Sequence, residues 1–270
     1  MAIATSTNFY SNAIVGVPQV GADIDVHERS ATPKYSVGFG FQRADGNVFR
    51  YSQFGDAVLV GVLVGNVATN SNLASTDALV VAPATAQAVA GEAIQPGAVG
   101  SRYVEVILAT VASNQFAGGY LSITKDTGIG YTYRIKSNTA TNTPTSGNFR
   151  LELFDKIKVA LDNTSDIAIA ASKYSNLYPY VAIEGTQSNV VGVTMAAVSN
   201  NDYGWVCVRG RTSALCKTTN TGIGNVATVS LTSGSYQQMI TTSTLAYQRI
   251  GTIAVKGVDA QMGIVDLQLE

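Results

Sequence analysis

Apolar and polar residues alternate over short stretches of this chain, which is the pattern of half-buried β-strands. In residues 35–42 the Tyr, Val and Phe side chains fall on one face, and Ser, Gly and Gln fall on the other. The turn dipeptide Asp45-Gly46 follows and leads into the alternating segment 47–51, so this region predicts a hairpin. Segments 119–124 and 131–136 predict a second hairpin.

Two segments have a different pattern. Residues 57–64 (AVLVGVLV) form a continuous apolar run, which predicts a strand buried on both faces. Residues 149–162 place Phe154, Ile157 and Leu161 at near-helical spacing after a short strand, so they predict one short helix. Further strands are predicted at 102–110, 167–170, 180–184, 190–198, 203–209, 226–231, 250–255 and 264–269.

More than ten short strands separated by turn residues predict a mainly β fold. We expect β-sandwich or β-barrel modules of short antiparallel strands, with at most one or two short helices. Residues 1–34, rich in Ser, Thr, Asn, Gly and Pro, predict an extended N-terminal arm. A β-rich domain is expected at 35–185 and a smaller C-terminal β module at 186–270, while 65–100 fits either short strands or a long loop.

The chain carries few charges. Charged residues make up 13% of it, against roughly 25% in an average globular protein, and the mean hydropathy is +0.16. Either hydroxyl and amide groups keep such a surface soluble, or partners cover much of it in an assembly. With 17 basic and 18 acidic residues, a net charge of −1 and no basic run, nucleic acid is not an expected partner.

Cysteine and targeting signals are sparse. Cys207 and Cys216 are too few for a disulfide scaffold, so two reduced, buried thiols are the favoured interpretation, and a disulfide across a hairpin stays open. The first residues lack the basic and apolar regions of a secretory signal, and no apolar stretch approaches the ~20 residues of a membrane helix. We therefore expect synthesis in the cytoplasm and no membrane partner.

Acidic and histidine residues offer weak candidates for chemistry. His27 is the single histidine, lies beside Asp25, and cannot supply the two ligands of an H-E-x-x-H zinc site. Asp23 and Asp25 would share one face of a strand, as a general acid and base or a metal site requires. A turn or capping role is favoured for this carboxylate pair.

A second carboxylate pair, Asp162 and Asp166, brackets residues 163–165 and presents oxygen ligands that suit a hard cation. Turn capping is again favoured, and the formal glycosylation sequence Asn163-Thr164-Ser165 is expected to be unused. Tyrosine rings could instead line a sugar-binding groove, although cross-strand and interface packing is favoured for them. The tyrosines in question are Tyr131, Tyr133, Tyr178, Tyr180 and Tyr203.

The sequence contains no G-x-S-x-G, G-x-x-x-x-G-K-[ST] or G-x-G-x-x-G motif. Gly38-Phe39-Gly40 comes nearest to the last of these, but it falls inside an alternating strand. We therefore predict a protein that is not an enzyme, with no catalytic, cofactor-binding or metal-binding residue and no cofactor.

Several segments resemble virion structural proteins of tailed bacteriophages, especially those infecting cyanobacteria and other aquatic bacteria. The resemblance rests on the order of the segments and spans most of the chain from about residue 35. The segments are Asp45-Gly46 with Val48-Phe49-Arg50-Tyr51 and Ala57, residues 118–123 running into 130–135, Tyr203-Gly204-Trp205-Val206, Ile250-Gly251-Thr252, and residues 263–269.

This resemblance implies a β-rich shell component similar to head-decoration or cement proteins. Such a protein would be assembled into the virion in the host cytoplasm and would bridge major capsid protein subunits on the outer capsid surface. Family members of this kind commonly form homotrimers. The near-neutral surface agrees with a position away from packaged DNA, and the arm of residues 1–34 would become ordered on a neighbouring subunit.

The alternative interpretation places the protein in the tail, as a tube, baseplate or fibre component, with or without carbohydrate binding. A fibre favours long trimeric repeats and a tube favours a strongly acidic lumen, and the sequence has neither feature. The capsid interpretation is therefore favoured.

Overall fold

The fold is built from strands alone in the part of the chain that the structure describes. The structure is a computed structural model, and it describes residues 24–67, 73–80, 86, 88–108, 111–141, 147–180, 187–217, 222–230, 232–239 and 248–270. Sixteen strands and no helix occur in these ranges. The expectation of a mainly β protein with sheet and barrel modules is confirmed.

The described residues within 1–67 and 174–270 form one compact unit, here called the sheet unit. Its ten strands form one sheet, in which the order β10-β3-β11-β12-β16-β15-β13-β14 is extended by β1 and β2, with β2 pairing with β12. Within the described residues these strands pair antiparallel throughout. The strands are β1 Gly40–Gln42, β2 Val48–Gln53, β3 Leu63–Val67, β10 Leu177–Pro179, β11 Gln187–Thr194, β12 Tyr203–Leu215, β13 Val226–Val229, β14 Tyr236–Gln238, β15 Arg249–Val255 and β16 Met262–Gln268.

Strand β12 is buried on both faces over its first half. Trp205 and Cys207 belong to one apolar cluster, while Val206 and Val208 belong to another. Successive side chains of a strand point to opposite faces, so the run Trp-Val-Cys-Val supplies both clusters from a single segment. This explains why the run is continuously apolar.

Strand β12 also changes partner along its length. Residues Tyr203–Arg209 pair with β2, whereas Arg209–Leu215 pair with β16. A register shift lies at Cys207/Arg209, and the next residue, Gly210, has a φ of +95°. The Asn47 side chain fills the space beside Gly210, since Asn47 Oδ1 accepts a hydrogen bond from Arg211 N at 2.9 Å and Asn47 Nδ2 donates one to Arg211 O at 3.2 Å.

Residues 68–173 form the second compact unit, here called the barrel unit. Its six strands pair in the closed order β4-β5-β8-β7-β6-β9, and β9 pairs with β4 to complete the circle. In a barrel this small, side chains fill the interior. The strands are β4 Leu73–Val80, β5 Tyr103–Leu108, β6 Tyr120–Lys125, β7 Thr132–Asn138, β8 Gly147–Leu153 and β9 Asp166–Ala170.

The predicted helix at 149–162 is wrong. Residues 147–153 form β8, and the chain after Leu153 runs irregularly past the barrel. Ile157 and Leu161 are each 1% exposed and pack in the barrel core, whereas Phe154 is 42% exposed. The helix-like spacing has another cause, because Ile157 and Leu161 both pack in the barrel core from this irregular segment. Their backbone N–H groups donate hydrogen bonds to Ser101 O and Gly97 O, respectively.

The barrel unit is an insertion between two neighbouring strands of the sheet unit. Asn66 in β3 pairs with Leu177 in β10, so the chain leaves and re-enters the sheet at adjacent positions. The predicted division at 185/186 therefore differs from the observed one. Pairing of β2 with β12 joins the N-terminal residues to the C-terminal half, and local sequence patterns do not reveal such pairings.

The predicted arm of residues 1–34 ends too late. Residues 1–23 lie outside the described residues, but Ile24 and Val26 belong to the core of the sheet unit, with Val26 fully buried. Ser30 forms a backbone bridge with Tyr203. Residues 24–34 are thus part of the folded unit, because two apolar side chains and a strand bridge attach them to it.

Two predicted strands are shorter than expected. Of residues 35–42 only Gly40–Gln42 forms a strand, since a turn in which Phe39 N donates to Ser36 O precedes it. In the run 57–64, Leu59 and Val60 are exposed and the strand begins at Leu63. Gly61, with a φ of +73°, interrupts that run.

Both predicted hairpins are confirmed, as β1–β2 and β6–β7. Most of the predicted strand at 180–184 lies outside the described residues.

Candidate functional site

His27 is a structural anchor in this fold. Its Nδ1 lies 2.7 Å from Met195 O, and its backbone N donates to the Asp25 carboxylate at 2.9 Å. Since the carbonyl accepts the hydrogen bond, Nδ1 is the protonated ring nitrogen. Asp25 therefore caps a turn, and Asp23 lies outside the described residues.

The Asp162 carboxylate is fully engaged by donors. It accepts hydrogen bonds from Thr164 N at 2.9 Å, Thr164 Oγ1 at 2.6 Å and Thr127 Oγ1 at 2.8 Å. These bonds, those from Thr164 foremost, lower the pKa of Asp162 to about 2. Asp166 instead lies 3.4 Å from Lys125 Nζ. The two carboxylates thus serve separate contacts: Asp162 caps the turn, as the sequence favours, whereas Asp166 lies in β9 and pairs with Lys125.

The described residues contain no group of three or more His, Cys, Asp or Glu side chains arranged to hold a metal ion. Within the formal glycosylation sequence, Asn163 and Thr164 are exposed, and the buried Ser165 donates its hydroxyl to Thr127 O at 2.8 Å. These residues form a tight turn against the loop that joins β6 and β7.

The five candidate tyrosines are divided between the two units. In the barrel unit Tyr131, 42% exposed, stacks on Tyr133, which is 4% exposed, with ring centroids 6.2 Å apart. In the sheet unit Tyr203 stacks on Tyr51 at 6.0 Å. Tyr178 and Tyr180 belong to the sheet unit as well, so neither unit brings all five rings together.

An aromatic cluster that the sequence analysis does not anticipate surrounds Trp205. Its ring centroid lies 5.2 Å from that of Tyr51 and 5.4 Å from those of Tyr35 and Phe41. Trp205 is only 2% exposed, so this cluster is a core feature. The one signal for it in the sequence is the high proportion of aromatic residues in 35–51. Their spacing is that of any half-buried strand.

A second unanticipated cluster holds the last residue of the chain. Arg50 Nε and Nη2 donate to Glu270 Oε2 at 2.9 and 2.6 Å, and Tyr174 donates its hydroxyl to Glu270 Oε1. Burial is the main cause of the raised pKa of Tyr174, and the hydrogen bond to Glu270 raises it further. These contacts join β2 and the segment before β10 to the chain end.

Neither cysteine forms a disulfide and both are buried, which agrees with the favoured interpretation of the sequence. Burial raises the pKa of the Cys207 thiol to about 12, and the thiol donates a hydrogen bond to Arg209 O at 3.4 Å. A thiol with such a pKa holds almost no reactive thiolate near neutral pH. Cys207 is therefore a packing residue.

Comparisons with known proteins give no relationship for this chain: no family model, no curated protein and no solved structure matches it. In the described part of the chain, no helix has the length and apolarity needed to cross a membrane.

Proposed function

We propose that the chain is a non-enzymatic structural protein of a tailed-phage virion, which decorates and stabilises the outer surface of the capsid. In this role it bridges major capsid protein subunits, self-associates as a homotrimer and binds no nucleic acid. Its partners recognise side chains on the surfaces of two preformed β units.

The placement of the phage-like segments supports the proposal. The segment after the Asp45-Gly46 turn forms β2, the Tyr-Gly-Trp-Val segment opens β12, and the closing segment forms β16. These three strands are neighbours, since β12 pairs with both β2 and β16. Four of the five segments thus fall in or next to one continuous run of strands in the sheet unit, β2-β12-β16-β15, and the fifth, residues 118–123 with 130–135, falls on the β6–β7 hairpin of the barrel unit. The grouping of four segments in neighbouring strands is the observation that carries the proposal.

The edges of the sheet support a building-block role. At one end of the strand order Leu177 of β10 bridges to Phe54, and Pro179 of β10 has no N–H to donate. At the other end Tyr236 of β14 bridges to Cys216. A bridged residue at each of these two ends, together with Pro179, reduces the number of free backbone groups there, which disfavours uncontrolled strand addition and suits a protein that is present in many copies on one particle.

Cohesion in this role comes from area and repetition. A contact of standard size buries roughly 1,600 Å² in total and need bind only modestly. Several contacts joined in one trimer hold by avidity, so the shell resists the outward pressure of the packaged genome.

Cryo-electron microscopy of purified particles that contain this chain tests the proposal. We expect density for both β units outside the shell, in symmetric clusters that contact major capsid protein. Density confined to the tail would refute the capsid role and favour the tube, baseplate or fibre alternative. Light scattering of the purified chain gives the oligomeric state separately, and a monomer at micromolar concentration would exclude a preformed trimer.

A further inference from the structure

The outer face of the barrel unit carries an arginine between two exposed aromatic rings. Tyr120 on β6 lies directly opposite Arg134 on β7 in the strand register. The Arg134 guanidinium carbon lies 5.1 Å from the ring centroid of Phe154, the residue after β8. The backbone N–H of Phe154 donates to Arg134 O at 3.0 Å, which ties the two residues together.

A second arginine is held at the same phenylalanine. The Arg102 guanidinium donates through Nη1 to the carbonyl oxygen of Phe154. One guanidinium is therefore fixed by the ring of Phe154 and the other by its backbone. We call the surface formed by Tyr120, Arg134, Phe154 and Arg102 the arginine–aromatic face.

The charge of this face is not balanced locally. Among the described residues, neither Arg102 nor Arg134 forms an ion pair. The neighbouring carboxylate, Glu152, is occupied by Lys136 Nζ at 2.6 Å and by Ser137 Oγ at 2.8 Å. Its pKa is lowered mainly by Lys136, with a smaller contribution from Arg102. Three cations thus face one carboxylate, which leaves an excess of two positive charges.

Residues next to the face do not cancel this excess. Asp155 and Lys156 follow Phe154 directly, are both exposed and offset each other. In a chain with only 13% charged residues and a net charge of −1, two unpaired guanidinium groups beside each other are a marked departure from the average.

The aromatic rings are available to a partner. Tyr120 is 53% exposed and Phe154 is 42% exposed, although both are large apolar side chains. Tyr and Arg are the residue types that most often dominate protein interfaces. Because the barrel is closed, it offers no free strand edge here, so a partner must be recognised through side chains.

We infer that the arginine–aromatic face binds a carboxylate-bearing segment of a protein partner. A planar guanidinium held against an aromatic ring is oriented in advance for a bidentate contact with a carboxylate. A neutral sugar would leave the two guanidinium charges unbalanced, whereas a carboxylate neutralises part of that charge. The inference does not rest on the proposed function, since contacts within the barrel unit define the face.

The test uses the full-length chain and a dye-labelled hexaglutamate peptide, with binding followed by fluorescence anisotropy at low salt. We expect binding in the millimolar range or tighter. The variants Arg134→Gln and Arg102→Gln should each weaken it about tenfold, the effect of losing one charge-assisted hydrogen bond. Phe154→Leu should weaken it as well, although it leaves every charge in place.

The matched control is Arg211→Gln, which removes the same charge from an arginine paired with Asp266 in the sheet unit. This control should change the affinity by less than about twofold. Circular dichroism checks that each variant keeps its β content.

Four outcomes would overturn the inference. Equal weakening by Arg211→Gln and by the variants of the face would indicate unspecific charge attraction. Tighter binding of hexagalacturonate than of hexaglutamate, lost in Arg134→Gln, would assign the face to acidic sugars. Absence of binding at millimolar peptide, or self-association of the chain that Arg134→Gln abolishes, would also contradict it.

Discussion

Replacing Gly210 by alanine should strongly destabilise the sheet unit. Gly210 has a φ of +95°, where a residue with a Cβ atom costs about 1–2 kcal/mol. A Cβ there would also lie 1.9 Å from Asn47 Oδ1 and 3.0 Å from Asn47 Cα. The Asn47 side chain must then move and lose its two hydrogen bonds to Arg211, at about 0.5–1.5 kcal/mol each. The total is about 2–5 kcal/mol.

The assay is urea unfolding followed by the fluorescence of Trp205, the single tryptophan, which is buried in the core of the sheet unit. Gly224→Ala is the matched control, because Gly224 has a φ of +82° in the same unit and its added Cβ would meet nothing within 4 Å. This control should cost only the backbone strain. With a slope of about 2 kcal/mol per molar urea, the midpoint of Gly210→Ala should fall about 1 M below that of the control.

A double-mutant cycle separates the two causes. In an Asn47→Ala background the clash is removed, so Gly210→Ala should cost about as much as Gly224→Ala. If Gly210→Ala destabilises no more than Gly224→Ala in the native background, the role assigned to Asn47 at the bend of β12 is wrong.

Three further changes test other parts of the fold. Val26→Ala should lower the free energy of unfolding measured by Trp205 fluorescence by about 1.5–3 kcal/mol, because Val26 is fully buried. An unchanged midpoint would mean that residues 24–34 belong to the predicted arm. Phe149→Ala should lower the free energy of unfolding of the barrel unit, followed by circular dichroism, by about 3–5 kcal/mol and should leave the Trp205 transition unchanged. A shift of both transitions would show that the two units unfold together. Asp162 has a pKa of about 2 in the folded protein against an ordinary 3.8, so its contribution to stability is complete above pH 3.8 and is lost as the pH falls towards 2. Asp162→Ala should flatten this part of a profile of melting temperature against pH. An unaltered profile would contradict the assigned hydrogen bonds.

The sequence predicts local pairing well in this chain. The Asp45-Gly46 hairpin and the hairpin of β6 and β7 follow from turn residues and alternation, which act over a few residues. The division into units could not be predicted, because it depends on β12 meeting β2 and β16 across long separations. Pairings of that kind leave no trace in a single sequence.

Buried side chains outside strands account for the other errors. Ile157 and Leu161 have the spacing of a helix face, although both lie in an irregular segment and pack in the barrel core. The arginine–aromatic face cannot be predicted from the sequence either, since the spacing places Phe154 in that helix and the alternation places Arg134 in an ordinary strand. Spacing along the chain gives periodicity, but which side chains share a surface depends on the closure of the barrel.

The insertion of the barrel has a consequence for the order of events during synthesis. Residues 68–173 are contiguous, so the ribosome synthesises every barrel strand before β10, and Leu73 near the start of the barrel can pair with Ala170 near its end without any later strand. The sheet unit must wait for β16, whose last residue is Gln268. Domains generally fold as units while the chain emerges. Strands β1 and β2 can pair with each other early, but β2 also waits for β12, and β3 waits for β10 and β11. A barrel that has already closed keeps the end of β3 and the start of β10 close to each other until the later strands arrive.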